Sequence, residues 1–104
     1  MSNADAEVTN KIEVNQSIKE PPLYKVIYIN DNKTSMEFVI DSLVEYFDYN
    51  PVTAHEITLN IHNEGAATVA VLPYEVAEQK GIEVSLSARA QDYPLQIKLE
   101  PEDA

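Results

Sequence analysis

The chain has 104 residues, no cysteine and a formal net charge of −11. This length supports one domain with a modest core, and the 44% of apolar residues is typical of a globular protein. Without cysteine, disulfides and zinc–thiolate sites are excluded, and we expect a protein of the reducing cytoplasm. With only seven Lys and Arg residues, scattered along the chain, nucleic acid and anionic membranes are poor partners. The acidic balance favours a cationic ligand or a basic protein surface, although solubility alone would explain it.

The chain divides into three parts. Residues 1–22 are polar, show no sustained apolar period and end in two prolines, Pro21 and Pro22, which oppose helix. We predict a disordered N-terminal arm at 1–22, a core domain at 23–101 and an acidic tail at 102–104. The arm lacks the basic and apolar segments of a secretory signal, and no apolar run is long enough to cross a membrane.

The first predicted element is a strand at residues 24–29, which runs into a short polar turn. Residues 34–37 match a capping box, so the Thr34 hydroxyl is expected to accept a hydrogen bond from the backbone N–H of Glu37. The helix that follows carries apolar side chains at the spacing of a core-facing stripe. These are Met36, Val39, Ile40, Leu43, Val44 and Phe47.

A second helix is predicted to begin with Asn50 as N-cap and Pro51 in the first helical position. Gly65 is expected to end it. The spacing of its apolar and small residues defines an inner face. That face holds Ala54, Ile57, Thr58 and Ile61.

Residues 66–72 predict a second strand, and residues 74–90 predict a third helix with Gly81 in its interior. Pro94 begins a last strand, in which apolar and polar residues alternate as in a strand with one buried face. The order β-α-α-β-α-β predicts an α+β fold. We expect a small two-layer sandwich with three helices against one face of a short, mainly antiparallel three-stranded sheet.

Little in the chain supports catalysis or metal binding. His55 and His62 are seven residues apart, about 10 Å along a helix, whereas zinc-binding helices place histidines four apart. No serine lies in a nucleophile elbow, and two glycines cannot form a Gly-rich phosphate loop. We therefore expect no enzyme activity, no catalytic residue, and no metal or other cofactor.

Asn30 and Asp31 stand where the first strand ends, and His62 would approach them if the second helix packs beside the first. Apolar groups, with Thr58, could line a pocket behind this polar rim. A ligand with an ammonium group at one end and a hydrophobic side chain at the other suits it, and the free N-terminus of a peptide is such a ligand. The same residues also fit ordinary turn positions, and His62 fits a helix-end histidine stabilised by the dipole.

Several motifs follow one another from residue 21 onwards. They are Pro21-Pro22-Leu23-Tyr24-Lys25-Val26-Ile27, Asn30-Asp31, Met36-Glu37-Phe38-Val39-Ile40-Asp41, Ala54, Ile61-His62, Glu64-Gly65, Tyr74-Glu75-Val76-Ala77-Glu78-Gln79-Lys80 and Tyr93-Pro94-Leu95. Together they resemble the ClpS adaptor family, in order and almost without gaps. The agreement of many motifs in register makes the resemblance specific.

The resemblance implies a non-enzymatic adaptor. Such an adaptor binds proteins through a free N-terminal bulky hydrophobic residue of the Leu, Phe, Tyr or Trp type (an N-degron) and delivers them to a Clp AAA+ unfoldase-peptidase. The implied partners are N-degron peptides and proteins and the N-domain of a ClpA- or ClpC-type unfoldase. The adaptor itself is expected to be a monomer, with no nucleic acid and no membrane as partner.

The resemblance also assigns roles to residues. It implies that Asn30, Asp31 and His62 bind the α-amino group. Glu75 and Lys80 would belong to the surface that contacts the unfoldase, and the N-terminal arm would serve in hand-over. The implied side-chain pocket consists of Thr34, Met36, Val39, Thr58, Ile61 and Leu95.

Three positions depart from the family pattern. Many members have a second Asp where this chain has Asn32, and the usual Thr-Pro-Met carries Ser35 in the middle here. The pocket position commonly filled by Met is Thr58. We therefore expect a roomier or wetter pocket, with a different preference among Leu, Phe, Tyr and Trp termini.

Two other classes stay open. One is an interaction module of the same fold with an inactive pocket, which only modulates the unfoldase through its third helix; the fold also resembles the C-terminal domain of the ribosomal stalk protein. The other is a small hydrolase that uses His62 and Asp31. Alanine at Asp31 separates the first class from an adaptor, and turnover lost on His62→Ala would support the second.

Overall fold

The computed structural model describes residues 21–103. The element order is β1 (Leu23–Ile29), α1 (Met36–Phe47), α2 (Pro51–Glu64), β2 (Ala66–Pro73), α3 (Tyr74–Ala90) and β3 (Gln96–Pro101). The β-α-α-β-α-β order predicted above is therefore confirmed. The arm predicted at residues 1–22 falls almost wholly outside the described residues, as does the last residue of the predicted tail.

The three strands form one sheet in the order β2-β1-β3, and β1 pairs antiparallel with both neighbours. All pairing in the described part is thus antiparallel, which confirms the α+β fold class. On β2 one extra residue, Val69, lies between the partners of Val26 and Ile27, so the register shifts there. Such a bulge adds local twist to a strand.

The helices cover one face of the sheet. Helix α3 packs against all three strands, α2 packs on β2 and α1, and α1 also contacts α3. Val26 and Tyr28 of β1 point into this layer and are fully buried. Leu43 of α1 and Val84 of α3 meet them in the same core cluster.

Tyr28 is a buried polar residue with a satisfied hydroxyl. Ser42 donates its hydroxyl hydrogen to the carbonyl of Val39 at 2.8 Å. The 2.8 Å contact between the hydroxyls of Tyr28 and Ser42 is therefore donated by Tyr28. Burial raises the pKa of Tyr28 well above its usual range, so this phenol stays neutral at all ordinary pH values.

The start of α1 corrects one expectation. The N-cap is Ser35, not Thr34: its backbone is extended (φ −70°, ψ 148°), and its Oγ accepts the backbone N–H of Phe38 at 3.0 Å. Thr34 belongs instead to the preceding turn, where its N–H and its hydroxyl both donate to the Asp31 carboxylate. The capping box predicted at Thr34 is therefore wrong by one residue.

The ends of α2 are as expected. The Asn50 side chain accepts the backbone N–H of Thr53 at 2.9 Å, and Pro51 is the first helical residue. Gly65 ends the helix in the left-handed region at φ 89°, a conformation that favours glycine. The next residue starts β2, so α2 and β2 are joined by this single glycine.

Candidate functional site

The turn between β1 and α1 is organised by the carboxylate of Asp31. Its Oδ1 accepts the backbone N–H groups of Lys33 and Thr34 at 2.8 and 2.6 Å, and its Oδ2 accepts the Thr34 hydroxyl at 2.8 Å. Two carboxylate oxygens offer about four lone-pair sites, so Oδ2 can accept one further donor. The turn thus holds a carboxylate in a fixed orientation.

The environment of Asp31 keeps this carboxylate charged. Burial raises its pKa, but the hydrogen bonds from Thr34 and Lys33 lower it more. The positive charge of Arg89 lowers it further. The net result is a pKa below the usual aspartate value, so Asp31 is an anion at neutral pH.

A backbone contact joins this turn to the end of α2. The N–H of Asn30 donates to the carbonyl of Gly65 at 2.9 Å, and the N–H of Gly65 donates to Ile61 at 3.0 Å. His62 lies in the last turn of α2. The side chains of Asn30 and His62 are exposed. The three residues assigned to α-amino binding lie near the end of β1 and the end of α2, which this contact joins.

The six residues assigned to the side-chain pocket differ in burial. Val39, Ile61 and Leu95 are buried in one core cluster. Met36 is 39% exposed at the start of α1, and Thr34 is half-buried beside it. The three cavities described in residues 21–103 are lined by other residues, so the grouping of these six into one pocket stays a prediction.

Thr58 is buried, with its polar group satisfied within its own helix. Its hydroxyl donates to the carbonyl of Ala54 at 2.8 Å, and the residue is 2% exposed. A hydroxyl that already has a partner requires no water at this point. The contact therefore argues against a wetter pocket at Thr58.

Arg89 is a residue of this region that the sequence reasoning missed. Its Nη1 donates to the carbonyls of Tyr93 and Leu95, both at 2.9 Å, so it fastens the loop between α3 and β3. Tyr93 packs on Phe38 of α1 with ring centroids 5.3 Å apart. A basic residue in the last turn of a helix is a recognisable C-terminal signal, but its proximity to Asp31 is not visible in the sequence.

The residues assigned to unfoldase contact both lie on α3. Glu75 is exposed in its first turn and borders a cavity of about 400 Å³ with Tyr74 and Val76. Both apolar neighbours are more than 40% exposed. Lys80 is half-buried and borders a separate cavity of about 150 Å³ between β2 and the end of α1.

Metal-binding clusters and membrane-spanning helices are both absent from residues 21–103. No His, Cys, Asp or Glu side chains there form a group of three or more that could hold a metal ion. None of the helices in this range combines the length and apolar character that a membrane crossing requires.

The described residues form a small α+β domain in which a polar turn follows the first strand. Residues 19–98 match the family model described as ATP-dependent Clp protease adaptor protein ClpS. The chain belongs to the ClpS adaptor family, which confirms the resemblance described above. Its members are adaptors of the Clp protease, not the protease itself.

Individual proteins similar to this chain support the same family assignment. The chain is 39% identical over 102 residues to the ClpS of Roseobacter denitrificans, covering 98% of this chain and 90% of that protein. It is 41% identical over 96 residues to the ClpS of Escherichia coli, covering 92% and 91%. The solved structure of Agrobacterium tumefaciens ClpS2 bound to L-phenylalaninamide superposes with a TM-score of 0.77 at 34% identity, covering 80% of this chain and all of that one.

Proposed function

We propose that this adaptor binds proteins through a free N-terminal bulky hydrophobic residue and delivers them to a Clp AAA+ unfoldase-peptidase. The observation that supports this most is the fixed, ionised carboxylate of Asp31 at a strand end that is joined to the end of α2. The ligand of the similar ClpS2, L-phenylalaninamide, has a free α-amine and a benzyl side chain. Such a ligand carries the two groups that the proposed site binds, an α-amine and an apolar side chain.

The α-amine is held by acceptors at the rim. An ammonium offers three donors, which Asp31, Asn30 and His62 accept in this proposal. Hydrogen bonds to charged groups contribute roughly 1.5–3 kcal/mol each. Acetylation removes the charge and two of the donors, so an acetylated terminus leaves acceptors at the rim without partners.

The first side chain enters the apolar region behind the rim, between Met36 and the buried Val39, Ile61 and Leu95. Burying a Leu or Phe side chain contributes about 1.5–3 kcal/mol. Thr58 is shorter than the Met common at its position in the family, so we propose that this pocket favours larger termini. The Leu, Phe, Tyr and Trp types are all candidates, and their order is to be measured.

The proposed partner is the N-domain of a ClpA- or ClpC-type unfoldase, which Glu75 and Lys80 contact. Exposed apolar side chains next to Glu75 give this surface the mixed character of a protein interface. The adaptor works as a cytoplasmic monomer in this proposal. Its core is residues 23–101, and the preceding arm assists the hand-over.

A second candidate is a module whose pocket is inactive and which acts only through the Glu75 and Lys80 surface. One observation favours it: the Asp31 carboxylate already accepts three hydrogen bonds inside its own turn. If those bonds are all that this residue provides, no free terminus is bound.

Fluorescence anisotropy with labelled peptides separates the two. Peptides that begin with Phe, Leu, Tyr and Trp are expected to bind, whereas acetyl-Phe and a β-branched Ile terminus bind poorly. Asp31→Asn keeps the size of the side chain but removes its charge, and is expected to weaken binding at least tenfold. Asp41→Asn, the same change at an exposed site on α1, is the matched control. No binding to any free terminus would favour the inactive-pocket module.

A further inference from the structure

The loop between α3 and β3 is fastened by one exposed side chain, that of Arg89. The backbone N–H of Tyr93 first ties this loop to the last turn of α3, where it donates to the carbonyl of Ala88 at 2.9 Å. Nη1 of Arg89 extends the attachment, since it donates to the carbonyls of Tyr93 and Leu95, both at 2.9 Å. The guanidinium thus connects the far end of the loop, at Leu95, to the helix.

The two hydrogen bonds from Arg89 fix the shape of the loop. Nη1 carries two N–H groups in the plane of the guanidinium, one for each carbonyl. Pro94 lies between the two carbonyls, and its ring fixes its own φ and restricts the backbone of Tyr93. The backbone is therefore held in one conformation just before the chain enters β3.

The residues held in this way belong to the candidate site or pack against it. Leu95 is 1% exposed and shares a core cluster with Val39 and Ile61, two other residues assigned to the side-chain pocket. Tyr93 packs on Phe38, the residue that precedes Val39 in α1. A movement of the loop would therefore change the distance between Leu95 and α1.

Arg89 also acts on the other part of the candidate site, the carboxylate of Asp31. Burial opposes the negative charge of Asp31, the hydrogen bonds from Thr34 and Lys33 favour it most, and the positive charge of Arg89 favours it as well. The two acceptors that Arg89 bonds are neutral carbonyls, so the guanidinium keeps its full charge. One side chain thus affects both the carboxylate and an apolar residue of the site.

We propose that Arg89 is a positioning residue of the candidate site, which holds Leu95 in a fixed place beside Val39 and thereby sets the preference for the size of the first side chain. This role depends on the proposed function, because it concerns the same bound terminus. Arg89 acts through Leu95 rather than by contact with the ligand. A loop that is already ordered adds no ordering cost when the ligand binds.

A purely structural role of Arg89 would give a different pattern of affinities. Lower stability reduces the fraction of folded protein, which weakens the binding of every peptide by the same factor. Loss of the positive charge beside Asp31 weakens the amine contact, which is common to all free termini. A displaced Leu95, in contrast, costs a Leu side chain more contact than a Trp side chain, because the larger group still reaches it. The ratio of the two Kd values isolates this last effect.

Fluorescence anisotropy with two labelled peptides that differ only in their first residue, Leu or Trp, measures this ratio. Arg89→Met removes both hydrogen bonds and the charge, and at an exposed position it opens no core cavity. It is expected to raise the Kd of the Leu peptide more than that of the Trp peptide, so that the ratio of Leu to Trp rises roughly threefold. Arg89→Lys keeps the charge and a donor, and is expected to shift the ratio in the same direction but less.

Asn50→Ala is the matched control for stability. It removes the N-cap bond to the backbone N–H of Thr53, so it is expected to destabilise the fold. Asn50 precedes a helix of 14 residues, so it lies about 20 Å along α2 from His62. Both Kd values are expected to stay as in the unmodified chain. Circular dichroism at the assay temperature checks that each variant is folded.

Three results would overturn this role of Arg89 while leaving the proposed function intact. The first is an unchanged ratio in Arg89→Met although the unmodified chain binds both peptides. The second is an equal change of the ratio in Asn50→Ala. The third applies if Arg89→Met is unfolded at the assay temperature, and is an unchanged ratio in Arg89→Lys. If the unmodified chain binds no free terminus, the proposed function itself is overturned, and the role of Arg89 with it.

Discussion

Gly81 lies in the interior of α3, yet none of the described residues around it requires a glycine. Its φ is not positive, and an added Cβ would lie 3.7 Å from Cγ2 of Ile97, an ordinary van der Waals distance. Glycine in a helix interior is less favourable than alanine by about 1 kcal/mol, because it loses more backbone freedom on folding. Gly81→Ala is therefore expected to raise the free energy of unfolding by about 1 kcal/mol and the Tm by about 4–8 °C.

Gly65 provides the matched control, because the same substitution there has the opposite sign. A Cβ on Gly65 would meet no atom of residues 21–103 within 4 Å, so packing within this range is not at issue. Its φ of 89°, however, is unfavourable for any residue with a Cβ. Gly65→Ala is therefore expected to lower the free energy of unfolding by about 1–2 kcal/mol.

Thermal and urea unfolding followed by circular dichroism measure both variants against the unmodified chain at one pH. Agreement between the two methods checks that unfolding is two-state. An unchanged or lower Tm of Gly81→Ala, with Gly65→Ala destabilised as expected, would show that Gly81 is not a destabilising residue. The space beside Gly81 would then serve a contact that the described residues do not contain.

Three further predictions concern the candidate site. Asp31→Asn is expected to lower the free energy of unfolding at pH 7 by roughly 1 kcal/mol, since three hydrogen bonds lose their charged acceptor at a partly solvent-exposed site. The folded-state pKa of Asp31 lies below its unfolded-state value, so its contribution to the free energy of unfolding is present above about pH 4 and is lost as the pH falls further. A difference in the free energy of unfolding between Asp31→Asn and the unmodified chain that persists at about pH 2 would contradict this. Arg89→Met removes both hydrogen bonds to the loop before β3 and is expected to lower the free energy of unfolding in urea by about 1–3 kcal/mol. Arg89→Lys is expected to be less affected. Equal stability of both variants and the unmodified chain would show that these bonds do not hold the loop. Thr58→Met is expected to fill the pocket and to change the ranking of Leu, Phe, Tyr and Trp peptides in anisotropy titrations, whereas an unchanged ranking would exclude Thr58 as a specificity determinant.

The helices and strands of the fold could be predicted from local patterns in the sequence. The apolar stripe of α1, the Asn50-Pro51 start of α2 and its end at Gly65 each involve residues within a few positions of one another. The N-cap of α1 was missed because two neighbouring hydroxyl residues compete for that role. The Asp31 carboxylate takes both donors of Thr34, and only the folded turn reveals it.

The candidate site could be predicted only in part from the sequence. Its polar residues could be placed at the ends of a strand and a helix, but their proximity depends on the bond between Asn30 and Gly65. The influence of Arg89 on Asp31 acts through space between residues far apart in the chain. The sequence by itself determined the elements and the residue types at their ends, because helix periods, caps and turns are local. Only the tertiary structure decided which ends meet and which charges face each other, because those contacts depend on how the helices pack on the sheet.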